Sequence, residues 1–126
     1  MRNLIIFFLG IGVCLKSHAG CEKPTPGYDT TYCMAKLFVE SDNELNDAYK
    51  NISGLLKPEQ KKKLINAQRN WIKYRNERCS TDGTIDVGCN YEVNKKRTKY
   101  IIDRITECKI GSCNDQLLSN ENWEKQ

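Results

Sequence analysis

Beyond residue 19 this chain has no histidine, no second long apolar run, no CxxC pair and no glycine-rich loop, and each absence closes a functional class. The single histidine is His18, so past that point no imidazole is present to act as a general base or to complete a zinc site. Neither a phosphate-cradling loop nor a Gly-x-Ser-x-Gly elbow occurs. Asp42 and Glu44 lie two apart on what reads as a helix, so they point to different sides and cannot work as a pair on one bond. The sequence therefore predicts no enzyme, no cofactor and no metal centre. A net charge of +4 is too small for a nucleic-acid binder.

What is present begins with a leader. Arg2 precedes an apolar run from Leu4 to Leu15, and Ser17, His18 and Ala19 follow with small residues at the positions a signal peptidase reads. The run is shorter than the roughly 20 residues needed to cross a bilayer, so no transmembrane helix is expected. Residues 1–19 are read as a signal peptide, residues 20–108 as the domain, and residues 109–126 as a small disulfide loop with a mobile tail. Lipidation of Cys21 is an alternative reading, although His18 stands where a lipobox needs an aliphatic residue. Loss of Arg2 and Lys16 with the leader leaves 18 basic against 16 acidic side chains, or +2. A periplasmic or secreted protein is implied.

Six of the seven cysteines lie beyond the leader, in three neighbouring couples: Cys21 with Cys33, Cys79 with Cys89, and Cys108 with Cys113. An even count in a short exported chain implies disulfides, and the spacing favours local pairing. Closing loops of this size stabilises by roughly 2 to 3 kcal/mol each in the chain-entropy treatment.

Apolar periodicity predicts an all-α fold, a three-helix antiparallel bundle with local disulfides and a flexible C-terminal tail. Met34, Phe38, Leu45, Tyr49, Ile52 and Leu56 share one side of a helix over residues 30–56, with Asp29 as its cap. Pro58 opens a second helix showing Leu64, Ala67, Trp71, Tyr74 and Arg78 on one face, and the short connection makes the two antiparallel neighbours. Ser80 to Gly83 read as a turn. Thr84 is the expected cap of a third helix carrying Ile85, Cys89, Val93, Arg97, Ile101, Arg104, Ile105 and Cys108.

Charge is divided between these helices. The first is acidic, with Glu40, Asp42, Glu44 and Asp47, while the second carries Lys57, Lys61, Lys62, Lys63, Arg69, Lys73, Arg75 and Arg78. Arg75 and Arg97 fall where the pattern wants apolar groups, so each needs a partner at the helix interface. Asp42, Glu44, Asn46 and Gln68 are the expected members of a polar network around them, whose first role is to fix the register of the helices.

The run Asp42-Asn43-Glu44-Leu45-Asn46 with Tyr49, followed by Leu64, Ala67-Gln68-Arg69, Trp71-Ile72, Tyr74-Arg75 and Cys79, resembles the N-terminal domain of the LprI-type lysozyme-inhibitor family. Gly83-Thr84-Ile85, Cys89 and Arg97 continue the resemblance in order, over about residues 21 to 108. Lys57 departs from it, standing where a Ser or Thr cap is more usual. The resemblance implies an exported helical protein of a bacterial envelope, with some members linked to blocking lysozyme. The partner implied is a protein, either a lysozyme-like hydrolase or a delivered envelope toxin against which the chain acts as an inhibitor or immunity factor. The alternative is an envelope adaptor that binds an anionic polymer through the basic second helix. For an inhibitor, the contact surface expected from the sequence is Glu40 and Asp47 on the first helix, with Thr81, Asp82, Thr84 and Asp86 in a loop pinned by Cys79 and Cys89.

Overall fold

The computed structural model describes residue 21 and residues 27–123, apart from the side chains of residues 28 and 29. The leader, its cleavage point and the side chain of Asp29 lie outside the described residues. In chain order the elements are α1 (Tyr28–Ser53), α2 (Pro58–Arg78), β1 (Ser80–Thr81), β2 (Thr84–Ile85), α3 (Val87–Lys109) and α4 (Asp115–Leu118). Among the described residues no helix is long and apolar enough to cross a membrane.

Each long helix starts and stops for a local reason. The first begins at Tyr28 directly after Gly27, rather than at residue 30 behind an Asp29 cap. It ends at Ser53, where the amide of Gly54 still bonds back to Lys50 O at 3.2 Å. The apolar spacing carried the expected helix to residue 56 because Leu56 is a core residue, 8 % exposed, that enters from the connection instead of from the helix. Pro58 occupies the first turn of α2, where its missing N–H costs nothing. Lys57 offers no capping oxygen, and the Gln60 carboxamide reaches back to accept the Lys57 amide at 3.1 Å, which is half of a capping box.

Between α2 and α3 the expected turn is a small antiparallel hairpin, with Thr81 opposite Thr84 and Ser80 opposite Ile85. Asp82 and Gly83 both have positive φ, 49° and 76°, as a two-residue hairpin turn of primed type requires. Thr84 is therefore a strand residue. The cap of α3 is Asp86, whose carboxylate accepts the Cys89 amide at 2.9 Å.

The helices form a bundle in which α1 and α3 run parallel and α2 runs antiparallel to both. Residue numbers rise together across α1 and α3, from Ser41 beside Asn94 to Glu44 beside Lys95. They run opposite ways across α2, where Arg75 meets Asp42 and Gln68 meets Arg97. The short connection makes α1 and α2 antiparallel neighbours, joined by Arg75 and Asp42, while the closest packing is between α1 and α3. Ser41 and Ala48 on α1 present little bulk toward Asn94 and Thr98 on α3, whereas Trp71 and Arg75 project from α2 and hold it further off. The core consists of Leu45, Ala48, Ile52, Leu56, Leu64, Trp71, Ile101 and Leu118.

Leu118 in that list corrects the expected mobile tail for the described residues up to Trp123, which pack on the bundle. After α3 the chain reverses at Gly111, φ 84°, with Ser112 N bonding back to Glu107 O at 2.9 Å. The Cys108–Cys113 bridge closes the reversal and Asn114 caps α4, accepting the amides of Gln116 and Leu117. The tail then follows α2. Asp115 bonds Gln60 and Lys63 at 2.8 Å each, Glu121 accepts from Asn70 at 2.6 Å, and Trp123 packs on Tyr74. Across the same groove Tyr100 on α3 donates to Leu117 O at 2.7 Å. A four-residue helix with one buried side chain has no periodicity to detect, so only the isolated Leu117-Leu118 pair and Trp123 signalled burial in the sequence. Burial of Leu118 alone stabilises by roughly 2 kcal/mol.

The three disulfides pair as the spacing predicted, with Cα–Cα distances of 5.3, 5.4 and 4.1 Å for Cys21–Cys33, Cys79–Cys89 and Cys108–Cys113.

Candidate functional site

The two arginines found by their position in the apolar pattern occupy different polar centres. Arg75, with 13 % of its side chain exposed, donates from Nη1 to Asp42 Oδ1 at 2.8 Å and to Asn94 Oδ1 at 2.9 Å. Asn94 is fully buried and passes its own Nδ2 hydrogens to Ser41 Oγ at 3.1 Å and to Asp42 Oδ1 at 3.4 Å. The Ser41 hydroxyl continues to Phe38 O at 2.8 Å. Arg75 donates, Asp42 accepts, and Asn94 and Ser41 do both, so three helices are joined through one connected set of hydrogen bonds.

Arg97 is buried to 1 % exposure and its Nε donates to Gln68 Oε1 at 3.1 Å. Its guanidinium lies over three rings, 5.0 Å from the Trp123 centroid, 5.4 Å from Tyr100 and 5.8 Å from Trp71. Burial lowers its pKa to about 10, partly offset by Tyr100, so it remains a cation at neutral pH. Such a charge is tolerated because the faces of the rings are negative and because guanidinium is weakly hydrated to begin with.

Of the expected network, Asp42 and Arg75 come together, as do Gln68 and Arg97, but the two pairs are separate. Glu44 is on the surface, where it pairs with Lys95 at 2.9 Å and raises the Lys95 pKa through that hydrogen bond. Asn46 is exposed. The sequence reading missed Asn94, Asn90 and Ser41, which are buried to 3 % exposure or less. Their spacing offered a signal, since Asn90, Asn94, Arg97, Thr98 and Ile101 make a helical stripe that is mostly polar. Polar residues were not counted as an inward face.

The expected contact residues are all at the surface. Thr81, Asp82 and Thr84 form the exposed hairpin, and Ile85 beside them is 64 % exposed. The hairpin base is held twice, by the Cys79–Cys89 bridge and by Asp86 N donating to Cys79 O at 2.9 Å. Asp86 is exposed but its carboxylate is engaged in capping α3. On α1, Glu40 and Asp47 sit near Lys36 and Lys50 at 3.9 and 3.8 Å, which are exposed pairs of little energetic weight. The basic α2 is less free than its composition suggests, because Arg75 turns inward and Lys63 is bonded to Asp115.

A concave region lies between the hairpin end of α2 and α3. It has a volume of about 250 Å³ and is bounded by Trp71, Tyr74, Val93 and Trp123, with Arg78, Glu92, Lys96 and Arg97 supplying charge. Among the described residues no group of acidic, cysteine or histidine side chains is arranged to hold a metal ion.

A family model described as lysozyme inhibitor LprI matches residues 21–101. The chain belongs to that family. Comparison with curated proteins and with solved structures finds no match. The LprI match takes in α1, α2, the hairpin and the larger part of α3, so Arg75 and Arg97 with their hydrogen-bond partners and the Cys79–Cys89 corner lie inside it. The tail with α4 and Trp123 lies beyond it. LprI is an inhibitor family and not an enzyme family, which places this chain among protein-binding inhibitors at the family level.

Proposed function

We propose that this chain is exported and blocks a lysozyme-type wall hydrolase by seating the hairpin Ser80–Ile85 against the enzyme's substrate cleft. The observation that carries this reading is an exposed hairpin flanked by a disulfide and a backbone hydrogen bond that hold its base. A loop fixed in this way loses little conformational freedom on docking, so most of its contact energy is retained as affinity. Its tip offers Thr81, Asp82 and Thr84 as hydrogen-bonding groups and Ile85 as an apolar anchor. A glycosidase cleft lined with sugar-binding donors and acceptors suits such a mixture. Glu40 and Asp47 extend the surface toward a basic rim, which matches the charge expected of the partner.

The test is a lysis assay with wall material, lysozymes of several classes and a stoichiometric excess of this protein. Slowed lysis is expected with at least one class. Ile85→Ala should weaken inhibition about tenfold, and Asp82→Asn, which keeps the tolerance for positive φ while removing charge, should weaken it less. Full lysis at every ratio across all classes would remove the hydrolase reading. Inhibition that survives both substitutions would keep the target and reject the hairpin. The adaptor reading, through α2, is less favoured because Arg75 and Lys63 are occupied within the fold.

A further inference from the structure

A recess beside the hairpin, where the three long helices meet it, carries hydrogen-bonding capacity that the fold does not use up. It has a volume of about 310 Å³ and is lined by Phe38 of α1, Arg75 and Asn76 of α2, Ser80 and Ile85 of the hairpin, and Asn90 of α3. Ser80 and Ile85 are directly paired across the strands, so their side chains share the hairpin face that borders the recess, while Thr81 and Thr84 share the other. The one ionised side chain in the lining is Arg75, and its charge is already met by Asp42 at 2.8 Å. The recess is therefore neutral, with Phe38 and the largely exposed Ile85 as its apolar walls.

Its polar groups are oriented by bonds made elsewhere. Asn90 is 3 % exposed and its Nδ2 donates to Asp86 O at 2.7 Å. Among the described residues no donor reaches Asn90 Oδ1, so the lining holds a buried acceptor that awaits a hydrogen. Asn76 Oδ1 accepts from Arg75 Nε and Nη2 at 3.4 Å each, which leaves Nδ2 as the donating end of that amide. The Cys79–Cys89 bridge stands immediately before both Ser80 and Asn90 and fixes one against the other. An acceptor, a donor and apolar walls are together the complement of a secondary amide that carries a methyl group. A carboxylate would set oxygen against Asn90 Oδ1, and an ammonium would lie beside the Arg75 guanidinium, so charged groups of either sign are disfavoured.

We infer that this recess binds an acetamido group, carried on the ring of an N-acetylated amino sugar. The amide N–H donates to Asn90 Oδ1, the carbonyl accepts from Asn76 Nδ2, and the methyl lies against Phe38 and Ile85. The exposed Ser80 hydroxyl at the rim serves a ring hydroxyl, a contact that an acetylated peptide has no group to make. The site shares Ile85 with the surface proposed for the hydrolase, but it is read by sugar binding alone and stands without that reading.

The test is titration of the oxidised, isotope-labelled protein, followed through its amide resonances. The probes are N-acetylglucosamine, then glucose and glucosamine, which lack the acetamido group, and N-acetylalanine methylamide, which carries it without a sugar ring. N-acetylglucosamine should saturate at millimolar concentration and shift Ser80, Ile85 and the Asn90 side-chain amide, with the other three at least about tenfold weaker. Ile85→Ala and Asn76→Asp change exposed side chains, so each variant should fold as the parent does and lose about tenfold in affinity for the sugar. No saturation, shifts confined to other parts of the molecule, or equal binding of glucose would each overturn the assignment. So would a peptide amide that binds as tightly as the sugar, or undiminished binding by either folded variant.

Discussion

The two sides of α3 bury polar groups by different means. Toward α1, small side chains let the helices approach, and Ser41, Asp42, Arg75 and Asn94 satisfy one another through short hydrogen bonds. Toward α2, Trp71 holds the helices apart, and the resulting groove is filled by an additional stretch of chain carrying Leu118 and Trp123. The cation there, Arg97, sits among rings and donates to Gln68. The contrast shows that close helix packing needs polar reciprocity, while wide packing needs filler, and that a guanidinium can serve either arrangement.

The widest test of the contrast removes the filler. Deletion of residues 114–126 should cost about 4 kcal/mol, because it opens a cavity beside Trp71 and uncovers Arg97. An unchanged thermal melt would show that the groove needs no cover. Arg97→Ala should cost about 3 kcal/mol through lost packing and lost ring contacts. Arg97→Met, which keeps the stem and discards the charge, should cost no more than about 1 kcal/mol if the ring-lined side works by filling space. Equal losses in denaturant titrations of the two variants would mean that the charge itself is needed.

On the opposite side the expected effects are smaller. Asp42→Ala should destabilise by about 1 kcal/mol, since its carboxylate is 43 % exposed and Arg75 retains Asn94 as an acceptor. Exposed Lys62→Ala should leave the melt unchanged, and a loss equal to that of Asp42→Ala would dissolve the distinction between network and surface. The least effect concerns the clamp of the tail on α2. Hydrogen bonds from Lys63 and then Gln60 hold the Asp115 carboxyl below its ordinary 3.8, so its stabilisation is present above that value and fades as pH falls through the lowered one. Amide exchange in α4 should quicken in acid below about pH 4, and Lys63→Ala should remove most of that dependence.

How far the sequence foretold this follows the same division. Helices with apolar stripes, such as Leu45 with Ile52 and Leu64 with Trp71, were legible because burial there recurs at the helical period. Arg75 and Arg97 were legible as exceptions to it. The Asn90, Asn94 and Thr98 face was not, because Asn90 and Asn94 bury by hydrogen bonding and Thr98 by close approach to α1, which apolar counting ignores. Asp82-Gly83 between threonines was a hairpin signal that the helix cap reading of Thr84 displaced. The tail was missed because a short element that packs by two or three side chains leaves no repeat.

The disulfides divide the molecule in time as well as in space. Their partners are 12, 10 and 5 residues apart, and no bridge encloses or crosses another. A chain emerging N-terminus first presents each cysteine's partner before the next couple appears, so oxidation in order of appearance selects the native set from fifteen alternatives. Reshuffling is unnecessary on that route.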